Sequence, residues 1–278
     1  MFSHPLLRTP ISGEQVLLYA PTLGQSWILP AEGSPDDMFV QSEAPLQASP
    51  RHLDLTLLMS YRCNLTCVYC YEGHACMQKL PLTTAREIVS SLIARHRDVE
   101  KVIIGYFGGE PTLCTDFMQE FTPWVRHSFP EKKITVAMTT NGVLSAHAEK
   151  HMWEFVDRVK ISMDGPEDIQ DMHRRLKNGG SSFSAAFATM QCLYHERPNA
   201  ISIRTTVTST SVEHLPRICA FFCKHFPGVR QQYEPVMDSC FADHEIATVD
   251  MSRFVDAYLQ AHAIARKYGT KIGTSFAR

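Results

Sequence analysis

From about residue 53 onward, the hydrophobic and polar positions switch repeatedly between two periods. Segments 53–58, 102–107, 134–139, 159–163, 201–207 and 229–236 are short apolar-rich runs with strand character. Segments 84–95, 117–127, 146–156, 183–194 and 212–226 between them, and 252–268 after the last, repeat their apolar residues at helical spacing. In the first of these helices Ala85, Ile88, Val89, Leu92 and Ile93 form the apolar stripe, and Thr84 with Glu87 reads as a capping box. In the last, Phe254, Val255, Tyr258 and Leu259 share one face and Gly269 supplies the stop. Repeated strand–helix units predict a parallel sheet with right-handed crossovers. Six of them suit an α/β fold, an open partial (β/α)6 barrel resembling a TIM barrel. Ligands in such sheets gather at the carboxyl ends of the strands.

The N-terminal part has a different pattern. Apolar runs at 16–19 and 27–29 flank a turn-rich stretch containing Pro21 and Gly24, which predicts a small β hairpin. Residues 31–50, rich in Ala, Pro, Ser, Glu and Asp, read as a linker or extended arm. The expected organisation is therefore a hairpin and linker over 1–50 and a barrel domain over 51–278.

Composition narrows the function classes. Lys plus Arg (27) nearly balance Asp plus Glu (29) among 278 residues, so the chain has no basic footprint of the kind that binds nucleic acid. No run is long and apolar enough to predict a membrane span, and the N-terminus lacks a basic-then-apolar signal pattern. The expected location is the cytoplasm. There the nine cysteines, an odd number, read as ligands or thiols rather than a disulfide framework.

Only Cys63, Cys67 and Cys70 are clustered, as C-x3-C-x2-C directly after the first barrel strand. Thiolates are soft ligands suited to iron–sulfur clusters and to zinc. On a [4Fe–4S] cluster three thiolates leave one iron open to a small molecule, whereas His74 would complete a Cys3His zinc site. The spacing leaves both readings open.

The surrounding motifs resemble those of the radical S-adenosylmethionine superfamily. Tyr69 stands in the aromatic position before the third cysteine. Gly108-Gly109-Glu110-Pro111 follows the second strand, Thr140-Asn141-Gly142 the third, and Ser162-Met163-Asp164-Gly165 ends the fourth, with Arg174 beyond. Together they look like the branch of anaerobic sulfatase-maturating and peptide-modifying enzymes. The resemblance implies a [4Fe–4S] cluster on Cys63, Cys67 and Cys70, and S-adenosylmethionine on the open iron. It implies that Gly108 and Gly109 bring backbone to the methionine ammonium, with Glu110 adding charge or bracing the loop. It gives Arg174 the methionine carboxylate, Ser162 the ribose or the amino-acid end, Asn141 a ligand role besides its turn, and Tyr69 a place flanking the cluster or adenine. Arg204 would line the barrel with Ser202, Thr206 and Thr208, and Glu234 would be its partner or a substrate contact.

The implied activity is reductive cleavage of S-adenosylmethionine to a 5′-deoxyadenosyl radical that takes hydrogen from a peptide or protein side chain. A small-molecule substrate, or a non-catalytic metal-binding module, are the alternatives. A flavodoxin- or ferredoxin-type protein would donate the electron, and no catalytic acid or base is identifiable. The N-terminal β unit would cap the barrel or pair with a peptide strand. Relatives in this branch usually continue into a cysteine-rich domain with auxiliary clusters; this sequence stops at Arg278 and reads as a fragment, a partner-dependent subunit or a member without those clusters. Cys219, Cys223 and Cys240 then read as packed thiols, although the first two lie one helical turn apart.

Overall fold

The computed structural model describes residues 7–12, 15–20, 25–30, 52–70, 79–236 and 248–275. It separates into a unit containing the first three strands and a larger unit, Ser49–Ile272.

In the first unit β1 (Leu7–Ser12), β2 (Gln15–Ala20) and β3 (Gln25–Pro30) form an antiparallel sheet in the order β1-β2-β3. The predicted apolar runs lie in β2 and β3. The additional strand, β1, carries Pro10, which hides it from a sequence pattern. An edge strand tolerates proline because one side of its backbone has no ladder to complete.

In the larger unit, β4 (His52–Leu58), β6 (Lys101–Phe107), β7 (Lys133–Thr140), β8 (Arg158–Ser162), β10 (Ile201–Val207) and β11 (Arg230–Pro235) pair in parallel. Their spatial order follows the chain, so each crossover joins neighbours. The two-residue β12 (Ile272–Gly273) adds a seventh strand beside β11, beyond the six expected from the sequence. Helices α1 (Leu82–Arg95), α2 (Thr115–Ser128), α3 (Ala146–Phe155), α5 (Phe183–Glu196) and α6 (Leu215–His225) fill the crossovers, α4 (Glu167–His173) adds a short helix after β8, and α7 (Met251–Lys267) precedes β12. The chain is thus an α/β fold with a mostly parallel sheet. No helix among the described residues is long and apolar enough to cross a membrane.

The strands show how the sheet sorts its faces. Ile201, Ile203, Thr205 and Val207 of β10 are buried, whereas Ser202, Arg204 and Thr206 alternate with them on a partly exposed face. Thr208 does not join that face: it is buried beyond the strand end, where its hydroxyl meets Ser211 and His173.

Three local expectations need correction. The Thr84–Glu87 capping box does not form, because α1 starts at Leu82 from an extended Pro81 with no side-chain cap. Its buried stripe is Ala85, Val89 and Ile93, with Ile88 46% exposed. The 212–226 segment splits into a 3-10 turn, Val212–His214, and α6.

The third correction concerns α7, which buries Phe254, Ala257, Ala261 and Ala265 and leaves Val255 and Leu259 exposed. Small residues win this face because α6 comes so close that the Cys219 thiol reaches the Ala261 carbonyl, 3.4 Å away. Ala261→Leu should therefore destabilise the fold by about 1–3 kcal/mol through overpacking. Leu259→Ser should shift stability by less than about 0.5 kcal/mol. Urea titration of the two variants distinguishes this packing from the one the sequence suggests.

Candidate functional site

The three clustered cysteines follow β4, and Cys67 ends a three-residue strand, β5 (Leu65–Cys67). β5 pairs antiparallel with β9 (Arg174–Leu176), which places Cys67 opposite Arg174 and Thr66 opposite Arg175. Leu65, 1% exposed, anchors this ribbon in the core. All three thiols are partly accessible. The Leu65 N–H and the Asn141 amide lie 3.4 and 3.6 Å from the Cys63 sulfur, and an Arg174 guanidinium nitrogen lies 3.9 Å from that of Cys67. Burial pushes the Cys63 thiol up, and pushes Cys67 up to about 12 with Arg174 opposing it. Such thiols ionise when a metal centre supplies compensating charge.

Among the described residues, no group of three or more His, Cys, Asp or Glu is arranged to hold a single metal ion. Three soft sulfur donors on one loop, with N–H donors beside Cys63 and a guanidinium beside Cys67, suit an iron–sulfur cluster, whose potential such neighbours tune. His74, the fourth ligand of a zinc reading, lies outside the described residues, as do Cys76 and Cys240.

The glycine tetrad is wedged against this loop. The Gly109 N–H donates to the Ser60 carbonyl at 2.9 Å, and the Glu110 N–H to that of Arg62 at 2.8 Å. Gly108 adopts φ +140°, and a Cβ there would sit 2.3 Å from the Ser60 oxygen; one on Gly109 would sit 2.4 Å from the Arg62 oxygen. Only glycine permits this approach. Glu110, 1% exposed, accepts from the Thr112 N–H and hydroxyl, the Thr140 hydroxyl and the Asn141 N–H, at 2.7–3.0 Å. Burial raises its pKa while these donors pull it back. Of the two roles left open for it, bracing is the one its contacts perform. Asn141 extends the brace: its amide donates to Asn64 at 2.7 Å, and Asn64 in turn donates to the Val143 carbonyl. The ends of β6 and β7 are thereby fastened to the cysteine loop.

Asp164 is the residue the sequence reading passed over. It is fully buried two residues past Ser162, whose own side chain is partly exposed at the end of β8. Its carboxylate accepts from the Tyr69 hydroxyl at 2.5 Å and the Thr206 N–H at 3.1 Å, and faces Arg174 Nε at 3.1 Å. His173 Nδ1 lies 3.4 Å from the same carboxylate. Neither Arg174 Nε nor His173 Nδ1 is aligned as a hydrogen bond, so Arg174 acts on Asp164 chiefly through its charge. Burial pushes the Asp164 carboxyl up, but Arg174, His173 and Tyr69 outweigh it and hold it below the ordinary carboxylate value. The Arg174 guanidinium also lies 5.3 Å from the Tyr69 ring centre. Tyr69 and Arg174, expected to touch a cofactor, are thus tied to one buried carboxylate. An Asp-Gly pair closing an apolar strand, ten residues before an arginine, was the available signal.

Arg204 faces the partly exposed side of the sheet, in register with Ser162 and Gln232. Glu234, 8% exposed, accepts from Gln232 at 2.6 Å. Cys219 and Cys223 are buried with sulfurs 3.9 Å apart, and burial pushes Cys219 up to about 12. They are packed thiols.

The motif residues named above lie at or just beyond the carboxyl ends of β4, β6, β7 and β8, with Arg174 reaching in from β9. A family model described as the radical SAM superfamily matches residues 57–223, which include all of them. An uncharacterised protein of Methanocaldococcus jannaschii is 30% identical over 165 residues, 58% of this chain and 55% of its own. A cysteine-type anaerobic sulfatase-maturating enzyme of Clostridium perfringens is 27% identical over 175 residues, 58% of this chain and 45% of its own. The chain spans about half the length of these curated relatives. A solved structure, native anSMEcpe with bound AdoMet and a Cp18Cys peptide, superposes with a TM-score of 0.64 at 21% identity, over 80% of this chain and 62% of that one. At that identity the likeness concerns the fold, a sheet of the same partial-barrel kind.

Proposed function

Because this chain belongs to the radical SAM superfamily, we propose that it cleaves S-adenosylmethionine reductively on a [4Fe–4S] cluster held by Cys63, Cys67 and Cys70, and directs the radical at a peptide or protein side chain. The observation that carries this reading is the three-thiol loop clamped between the glycine tetrad and the β5–β9 ribbon. A cluster held by Cys63, Cys67 and Cys70 would supply the one electron that reductive cleavage of S-adenosylmethionine requires.

The chain's own groups position the cofactor. Gly108 and Gly109 let backbone approach the ammonium end without a Cβ in the way. Glu110, with both oxygens engaged by the protein, fixes that loop rather than reaching the ligand. Asp164 holds Arg174 at its Nε edge, and an Nη nitrogen points toward Cys67, where the guanidinium can take the methionine carboxylate. Ser162 offers a hydroxyl at the end of β8 for the ribose or the amino-acid end, and Asn141 and Tyr69 flank the cysteine loop.

A peptide substrate is supported by the likeness to a sulfatase-maturating enzyme and to a structure holding a peptide. Residues 1–50 would form a separate β unit and 51–278 the catalytic domain, working in the reducing cytoplasm with a flavodoxin- or ferredoxin-type donor. Anaerobic reconstitution with iron and sulfide tests the core of the proposal. The expected result is about four irons and four sulfides per chain, with 5′-deoxyadenosine formed once dithionite is added. One zinc per chain and no 5′-deoxyadenosine would overturn it.

A further inference from the structure

The solvent face of the β5–β9 ribbon carries an unusual combination of groups. Thr66 and Arg175, opposite one another, both point outward, and the Lys177 N–H donates to the Asn64 carbonyl so that Lys177 follows on the same ribbon. Val68, 36% exposed, has its N–H on the His173 carbonyl, and Met172, the residue before His173, is 44% exposed. Two large apolar side chains thus lie open to water next to two exposed cations. No ion pair among the described residues involves Arg175 or Lys177, although Arg175 donates to the Gly179 carbonyl at 3.0 Å. Exposed apolar groups with a basic rim mark an interaction surface.

Its position gives the surface a purpose. Cys67 lies between Thr66 and Val68 in the same strand and its immediate continuation, so a partner seated here is separated from that sulfur by one thickness of backbone. Resting on the function proposed above, we infer that Thr66, Val68, Met172, Arg175 and Lys177 form the docking surface for a small acidic protein that donates single electrons to the cysteine-bound centre. The basic rim would attract and orient the donor, and Val68 and Met172 would make the dry contact. In the transfer itself the reduced donor loses one electron and the cluster gains it, and no bond or proton changes hands.

The test is the pair of variants Arg175→Glu with Lys177→Glu, made in one chain and compared with the unaltered protein at equal iron content. Reduced flavodoxin and dithionite serve in turn as electron source for 5′-deoxyadenosine formation. Binding of oxidised flavodoxin is titrated separately at low and high salt. Reversing two rim charges should weaken both flavodoxin binding and flavodoxin-driven turnover by on the order of tenfold at low ionic strength, and by much less at high salt. The dithionite-driven rate should be unchanged, since neither side chain touches the cysteine loop's ligands. Equal flavodoxin binding by the two proteins would overturn the docking surface and leave the proposed function standing. Failure of the unaltered protein with dithionite would overturn the function, and the docking assignment with it.

Discussion

Cys67→Ala is expected to reduce 5′-deoxyadenosine formation to background and to lower the iron retained after anaerobic reconstitution. Of the three proposed ligands Cys67 is the most tightly built into the fold, held in β5 opposite Arg174 and pushed up to about 12 as a free thiol by burial. Removing its sulfur leaves two thiols on a loop that needs three to hold a cluster with one iron open. The substitution deletes one atom on a partly accessible side chain, so the fold should survive. Iron content, thermal unfolding and liquid-chromatographic detection of the nucleoside are read on the same sample. Normal nucleoside formation by a folded Cys67→Ala protein would contradict the cluster assignment.

Asp164→Leu should cost about 3–5 kcal/mol of stability, the penalty typical of stripping the partner from a buried charge. Arg174 is 6% exposed and has Asp164 as its only ion-pair partner among the described residues. The Tyr69 hydroxyl and the Thr206 N–H would lose their acceptor as well. Asp164→Leu combined with Arg174→Leu should recover most of that loss, because replacing a buried ion pair by apolar groups is commonly near neutral. Urea titration measures both. A single-variant loss below about 1 kcal/mol would mean that this carboxylate does not carry the network. The double variant, stable again yet missing the guanidinium, should still bind S-adenosylmethionine weakly, which separates Arg174's part in binding from its part in folding.

Much of this architecture is legible in the sequence, for reasons that individual elements make plain. β10 alternates Ile201, Ile203, Thr205 and Val207 with polar neighbours, and such a run makes a strand in any parallel sheet. In the larger unit the elements that escaped are β5, β9, α4 and β12, of three, three, seven and two residues. None is long enough to show a period. Their stability comes from contacts distant along the chain: Cys67 with Arg174, Val68 with His173, Tyr69 with Asp164. The orientation of α7 was also hidden. Hydrophobicity favours Val255 and Leu259, whereas close approach to α6 favours alanine, and only the neighbouring helix decides between them.

The order of strands and helices, the C-x3-C-x2-C loop and the glycine tetrad were determined by the sequence itself. Periodicity, ligand spacing and the absence of a Cβ are local properties that a linear pattern records. Only the tertiary structure decided that Glu110 braces rather than reaches out, that Asp164 governs Tyr69 and Arg174, and that Arg175 and Lys177 share a surface behind Cys67. The first two depend on which buried donor or charge lies within about 3 Å of an acceptor and the third on the β5–β9 pairing, and those separations exist only once the chain has folded.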